Sequence, residues 1–150
     1  MTTIAVDAEL GVMAADRQVT ANDHETVIHC DTKIEHIAGY LVAAAGNEGP
    51  CEILYDWLRY GDWDDPPTPM DHLDAEDDFS VLMLGDDGLW SIDKFMRPIR
   101  LYSRFYGIGT GGGFAWAVLE AGCGIEKAIQ TAIKMDPFSG MGYDIVYIND

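Results

Sequence analysis

Short apolar runs separated by turn residues dominate the first half of the chain. Thr3–Val6 and Val12–Ala15 flank Asp7-Ala8-Glu9-Leu10-Gly11, a pattern that predicts a hairpin. Ile34–Ile37 and Tyr40–Ala45 flank Ala38-Gly39 and predict a second. The run Tyr40–Ala45 is small and apolar throughout, as in a strand buried on both faces. Cys51, Leu54, Trp57 and Leu58 recur at i, i+3, i+6 and i+7, which predicts a helix over Pro50–Tyr60, stopped by Gly61. Asp62–Asp78 mixes acidic residues with Pro66, Pro67 and Pro69 and reads as a loop with at most one short helix. Phe79–Leu84 and Leu89–Ile92, around Asp86-Asp87-Gly88, predict a third hairpin, and Phe105–Gly109 a further strand. Gly113–Ala121 and Ile125–Met135 read as helices broken at Gly122-Cys123-Gly124, and Tyr143–Ile148 as a closing strand. Strands and helices fall in blocks, not in strict alternation. That predicts an α+β fold of sheets covered by helices, not a doubly wound sheet.

Composition narrows the class. At 150 residues the chain is one domain, 1–150, and 48 % apolar residues suffice for a core. Nine Lys and Arg stand against 26 Asp and Glu, a net charge of −17, and no two basic residues are adjacent. Nucleic acid and anionic membranes, which are held through basic clusters, are therefore not expected partners. The opening Met1-Thr2-Thr3-Ile4 lacks the pattern of a signal peptide, and the longest apolar stretch is far short of a membrane span. Cys30, Cys51 and Cys123 form no CxxC pair and read as reduced thiols, which points to the cytoplasm.

Several motifs invite a chemical reading. Gly107-Ile108-Gly109-Thr110-Gly111-Gly112 fits a dinucleotide fingerprint, but the second strand that should end in an acidic residue about 20 positions later is missing, since that stretch is still the helix running to Met135. It reads instead as a turn that lets a helix approach a strand closely. The acidic run from Asp62 to Asp78 fails calcium-loop spacing, and His24, His29, His36 and His72 lack metal-ligand spacing, so no metal site and no cofactor are expected. The N-terminus is more informative. Removal of Met1 would leave Thr2 with a hydroxyl and an α-amine on one residue. An α-amine has a reference pKa of about 7.7–8 and can serve as general base for its own hydroxyl. Asp16 follows one predicted strand and Lys33 precedes another. A lysine near the amine disfavours its protonated form, and a carboxylate beside the lysine holds it in place. Gly46 ends a strand where its N–H can meet a developing oxyanion, and Asp136 and Ser139 follow the last helix where they can hold the amine and a water.

The ordered set Thr2-Thr3-Ile4, Gly11 to Thr20, Lys33-Ile34, Ala45-Gly46, Gly107 to Ala115 and Asp136-Pro137-Phe138-Ser139-Gly140 resembles a proteasome β-type subunit, most of all the HslV-type bacterial peptidases of the N-terminal-nucleophile hydrolases. Gln18, two residues after Asp16, is similar to the HslV pattern. The resemblance implies a four-layer αββα sandwich and a threonine endopeptidase. It implies Thr2 as nucleophile, Lys33 tuning the amine and Asp16 orienting Lys33. The Gly46 amide would form the oxyanion hole, with Asp136 and Ser139 supporting Thr2. Thr110 stands where the family's glycine-rich turn carries Ser. Val19, Asp31, Ala44 and Glu48 match the family's specificity-pocket wall, and two carboxylates there favour a basic residue before the scissile bond. The implied partners are further copies of the chain in a ring, unfolded polypeptide substrates and an ATP-dependent unfoldase. Two departures keep a second reading open, an inactive assembly subunit or an amidohydrolase of the same fold: Thr110 in place of Ser, and Asp62–Asp78 in place of a second long helix. The Thr2–Asp16 and Lys33–Gly46 intervals are each one residue short, which implies tighter hairpin turns, and the chain ends soon after its last strand, where the family builds ring and unfoldase contacts.

Overall fold

The structure is a computed structural model that describes residues 2–20, 27–70, 72–74 and 78–150. His24 and part of the acidic run, Asp71, Glu76 and Asp77, lie outside the described residues. The chain runs β1 (Ile4–Asp7), β2 (Val12–Asp16), β3 (Gln18–Thr20), β4 (Val27–His29), β5 (Ile34–Ile37), β6 (Tyr40–Gly46), α1 (Glu48–Tyr60), β7 (Phe79–Gly85), β8 (Gly88–Ile92), β9 (Ile99–Leu101), β10 (Phe105–Ile108), α2 (Gly112–Glu120), α3 (Ile125–Met135) and β11 (Tyr143–Tyr147).

Two antiparallel sheets form, in the orders β10-β1-β2-β11 and β5-β6-β7-β8-β9, while β3 and β4 make a separate ribbon. Side-chain alternation along the central strands builds three apolar interfaces, and these define four layers. Ile4 and Val6 of β1 and Met13 and Ala15 of β2 meet Leu41, Ala43, Leu82 and Leu84 of the other sheet. The intervening Ala5, Val12 and Ala14 face outward and are covered by Ala115 and Leu119 of α2 and Ala128, Ile129 and Ala132 of α3. On the far side, Val42, Val81 and Met83 pack under Leu54, Tyr55, Trp57 and Leu58 of α1. The layers therefore stack as α2/α3, sheet, sheet, α1, the αββα order that the motifs imply.

Local chemistry accounts for the element ends. The Asn47 side chain accepts from the Gly49 N–H and starts α1 two residues before Pro50, which sits in the first turn where its missing N–H costs nothing. Between β5 and β6, Ile37 pairs with Tyr40, and Ala38 and Gly39 both take positive φ, as a tight hairpin turn of primed type requires. The expected hairpins, α1, α2, α3 and the closing strand are all present. The segment after Tyr60 carries no helix among its described residues. The strands β3, β4 and β9 are additions, each only three residues long and too short to show a period.

Candidate active site

The end of the sandwich where β1 begins and β2 and β6 end gathers the polar groups. Thr2 and Thr3, just before β1, are buried, and so are Asp16, Asp136 and Ser139. Buried polar groups need partners, and here each oxygen can be accounted for.

Asp16 ends β2 with its side chain fully buried. Oδ1 accepts from the Thr3 N–H at 2.9 Å and from Lys33 Nζ at 2.8 Å. Oδ2 accepts from the Gln18 N–H at 3.2 Å and the Gly140 N–H at 3.0 Å. A carboxylate offers about four lone-pair sites, and all are used. Lys33, just ahead of β5, is equally constrained. An ammonium has three donors, and Nζ donates to Asp16 Oδ1, to Thr2 Oγ1 at 2.9 Å and to the Gln18 carbonyl at 2.5 Å. Because Lys33 donates to Thr2 Oγ1, the hydroxyl's own proton points elsewhere, and negative charge growing on Oγ1 faces a cation.

A second carboxylate stands on the other side. Asp136, the C-cap of α3, accepts on Oδ2 from Thr110 Oγ1 and from Ser139 Oγ, both at 2.6 Å, and on Oδ1 from the Phe138 N–H at 3.1 Å. Ser139 Oγ also lies 2.6 Å from Thr3 Oγ1. Since Ser139 gives its proton to Asp136, the Thr3 hydroxyl is the donor in that pair. Thr110 Oγ1 comes within 3.5 Å of the Thr2 carbonyl. The hydroxyl at this glycine-rich turn therefore does reach the site, with its proton committed to Asp136.

Of the residues expected from sequence, Thr2, Asp16, Lys33, Thr110, Asp136 and Ser139 come together in this network. Gly46 ends β6, exposed, with φ of +111°. A Cβ on Gly46 would strike the Asp78 carbonyl and, at 2.6 Å, Phe79 Cα, so only glycine fits there. Its neighbour Ala45 lies within 3.5 Å of where a Gly109 Cβ would sit, beside the Thr2 carbonyl, which places the end of β6 at the mouth of the site. The pocket residues are more dispersed. Val19 is half-buried in β3, Ala44 is half-buried on the α1 side of β6, and Asp31 and Glu48 are exposed.

Four further positions lie within the motifs, which give none of them a role of its own. Thr3 joins the two carboxylates, to Asp16 through its N–H and to Asp136 through Ser139. Its signal is a polar residue at the head of a fully buried strand. Gly109 and Gly111 leave no room for a Cβ, which would collide with the Thr2 carbonyl and Thr3 Oγ1 respectively. Gly140 lies against Gln18 Oε1, 2.7 Å from where its Cβ would be, and gives its N–H to Asp16. The glycine-rich turn is thus a close-approach device, not a phosphate cradle.

The role of Thr3 yields a stability prediction. Thr3→Val keeps the shape but removes the donor to Ser139, at a cost of about 1–2 kcal/mol. Thr3→Ser keeps the donor and should recover most of it. Urea denaturation of the two variants checks this; equal stability of Thr3→Val and wild type would remove Thr3 from the network.

The fold is an αββα sandwich similar to that of HslV. HslV from Trypanosoma brucei aligns over 97 % of this chain and 98 % of its own, at 20 % identity and a TM-score of 0.66. Thiobacillus denitrificans BPH aligns over 99 % of this chain and 98 % of its own, at 17 % identity and a TM-score of 0.67. BPH in complex with epoxomicin gives a TM-score of 0.68 at 17 % identity, over 98 % of this chain and 99 % of its own. No protein-family model matches the chain, and no curated protein matches it in sequence. The likeness is one of fold.

Proposed function

We propose that the protein is a threonine-type endopeptidase, HslV-like, in which Thr2 attacks peptide bonds once Met1 has been removed. The observation that carries this reading is the Lys33 ammonium, which donates at once to Thr2 Oγ1 and to the buried Asp16. A lysine donating to a threonine hydroxyl cannot accept its proton, so another base is required. While Met1 is attached, the Thr2 nitrogen is an amide and has no basic lone pair. Removing Met1 creates an α-amine on the residue that bears the hydroxyl, and this amine is the base.

The cycle balances as follows. The Thr2 hydroxyl proton passes to the amine as Oγ1 bonds to the substrate carbonyl carbon, with Lys33 stabilising the charge on Oγ1. The Gly46 N–H receives the oxyanion. The C–N bond breaks as the leaving amine takes the proton from the Thr2 ammonium. Water then cleaves the acyl ester with the same amine as base. Thr110, Asp136 and Ser139 hold the terminus in register. Asp31 and Glu48 at the pocket favour a basic residue before the scissile bond. Copies of the chain assemble into a ring, where such a site is sequestered from folded proteins, and an ATP-dependent unfoldase is the matching partner for delivery of unfolded chains.

Incubation with unfolded casein tests the reading, with intact mass confirming loss of Met1. Time-dependent release of peptides is expected, with at least a hundredfold slower release by Lys33→Met. Protein lacking Met1 that leaves casein intact would favour the alternative, an assembly subunit or an amidohydrolase of the same fold.

A further inference from the structure

At the opposite end of β6 from Gly46 the sheet carries a second feature. Tyr40 starts this strand, and its ring lies 5.7 Å from that of Trp63 at an interplanar angle of 44°. Trp63 in turn lies 6.3 Å from Trp57 of α1. The hollow here, about 250 Å³, is lined by Tyr40, Trp63, Met83, Asp87, Trp90 and Pro98. Six residue steps along a strand put it roughly 20 Å from the Thr2 end of the sheet, so it is not part of the candidate active site.

Asp87 is the only charged residue in the lining among the described residues, and its orientation is fixed. The Tyr40 hydroxyl donates to Oδ2 at 2.6 Å and the Trp90 indole N–H to Oδ1 at 3.2 Å. The Tyr40 hydrogen bond holds the Asp87 carboxyl below its ordinary value. Burial, reinforced by the same bond, pushes the Tyr40 phenol up to about 12. The hollow is therefore lined by one carboxylate and three aromatic side chains, and the Arg100 guanidinium, over Trp90, already acts on that carboxylate from outside the lining. Asp86 lines the adjoining hollow with Asp87 and adds to the negative field.

Such a lining is complementary to a cation, since aromatic faces and a carboxylate attract one together. The surface already behaves this way toward its own guanidinium groups. Arg100 stacks over Trp90 at 5.6 Å and over Tyr102 at 5.0 Å, and Arg59 over Tyr55 at 5.2 Å. Arg100 runs along Gly88 and does not line the hollow. Size bears on the class of ligand. Pockets for drug-sized molecules run to about 300–1,000 Å³; this hollow, at about 250 Å³, has room for one long side chain, with the rest of a chain passing over the adjoining hollow at Asp86. Guanidinium is planar, stacks on rings and is more weakly hydrated than ammonium, which favours arginine over lysine. The net charge of −17 would steer a basic segment toward the protein.

We propose that the hollow between Tyr40, Trp63, Asp87 and Trp90 is a docking site for an arginine side chain carried by a partner polypeptide. The site stands independently of the assignment of Thr2.

Trp63 and Trp90 make the binding observable by fluorescence. The probe is a blocked pentapeptide, Gly-Gly-Arg-Gly-Gly, and its control is the same peptide with citrulline, which keeps the shape of arginine and loses the charge. The expected result is a saturable change with the arginine peptide and at least a tenfold weaker response to the citrulline peptide. Asp87→Asn retains acceptors for Tyr40 and Trp90 while removing the charge, and should weaken the arginine peptide at least fivefold with unchanged circular dichroism. Asp31→Asn and Glu48→Gln report on the proposed substrate pocket and should leave the titration unaltered. Equal binding of both peptides, or full binding by Asp87→Asn, would overturn the proposal. Loss of the signal in the Asp31 and Glu48 variants instead would move the binding to the Thr2 end and also overturn it.

Discussion

On the proposed mechanism, Thr2→Ala is expected to abolish peptide hydrolysis and to leave the fold intact. The variant deletes the hydroxyl that Lys33 Nζ contacts at 2.9 Å, and no neighbouring hydroxyl can replace it. Thr3 Oγ1 and Thr110 Oγ1 are each bound into the Asp136 cluster, Thr3 through Ser139 and Thr110 directly. Loss of a nucleophile of this kind costs on the order of 10⁶-fold in kcat. Thr2→Ser restores a hydroxyl on the same carbon and should recover a measurable part of the rate. Stability changes little, because the Asp16 acceptors, the three apolar interfaces and the glycine turn are untouched. A fluorogenic peptide assay checks the rate and thermal unfolding the fold. A Thr2→Ala protein that cleaves as fast as wild type would show that the hydroxyl held by Lys33 is not the nucleophile.

Asp16→Asn produces the second large effect, and it falls on stability as well as rate. Asp16 Oδ2 accepts two backbone N–H groups, from Gln18 and Gly140, while Oδ1 accepts the Thr3 N–H and the Lys33 ammonium. An amide of the same size must turn its NH₂ toward one of these two sets of donors. Turned toward Gln18 and Gly140, it sets donor against donor. Turned toward Thr3 and Lys33, it does the same and also repels the ammonium. Either way a buried lysine loses its counter-charge, with its side chain 10 % exposed. Breaking a buried pair by removing one partner costs about 3–5 kcal/mol. Lys33 then releases Thr2 Oγ1, and activity falls together with stability. Denaturant unfolding measures the first effect and the peptide assay the second. A loss of less than about 1 kcal/mol would mean that Asp16 is not the anchor of the site.

Much of this arrangement is legible in the sequence, for identifiable reasons. The strand β6 announces itself through the small apolar run Tyr40–Ala45, and β1 and β2 through apolar runs on either side of a turn signal. The helix α3 follows from its apolar spacing, with Ile125, Ala128, Ile129 and Ala132 on one face. Thr2, Asp16 and Lys33 are legible through the order and spacing of their motifs, since each alone is an ordinary turn or terminal residue. The ribbon of β3 and β4 is not legible, because three-residue strands have no measurable period. Thr3 is hidden for another reason. Its value lies in joining partners 13 and 136 positions away, and only the folded chain brings them together. The same holds for Gly111, whose need for glycine comes from the Thr3 hydroxyl beside it. The hollow around Asp87 draws on β6, β7, β8, the turn between β7 and β8 and the segments that follow α1 and β8, and no local pattern in these marks it.

The most direct test of the account is whether Thr2 becomes a reactive terminal nucleophile. Incubation with epoxomicin, the compound present with Thiobacillus denitrificans BPH, followed by intact mass spectrometry and peptide mapping, addresses hydroxyl and amine together. The predicted result is one adduct per chain, on Thr2, in protein that has lost Met1, with none on Thr2→Ala. Protein that has lost Met1 yet stays unlabelled, or that is labelled at another residue, would contradict the account.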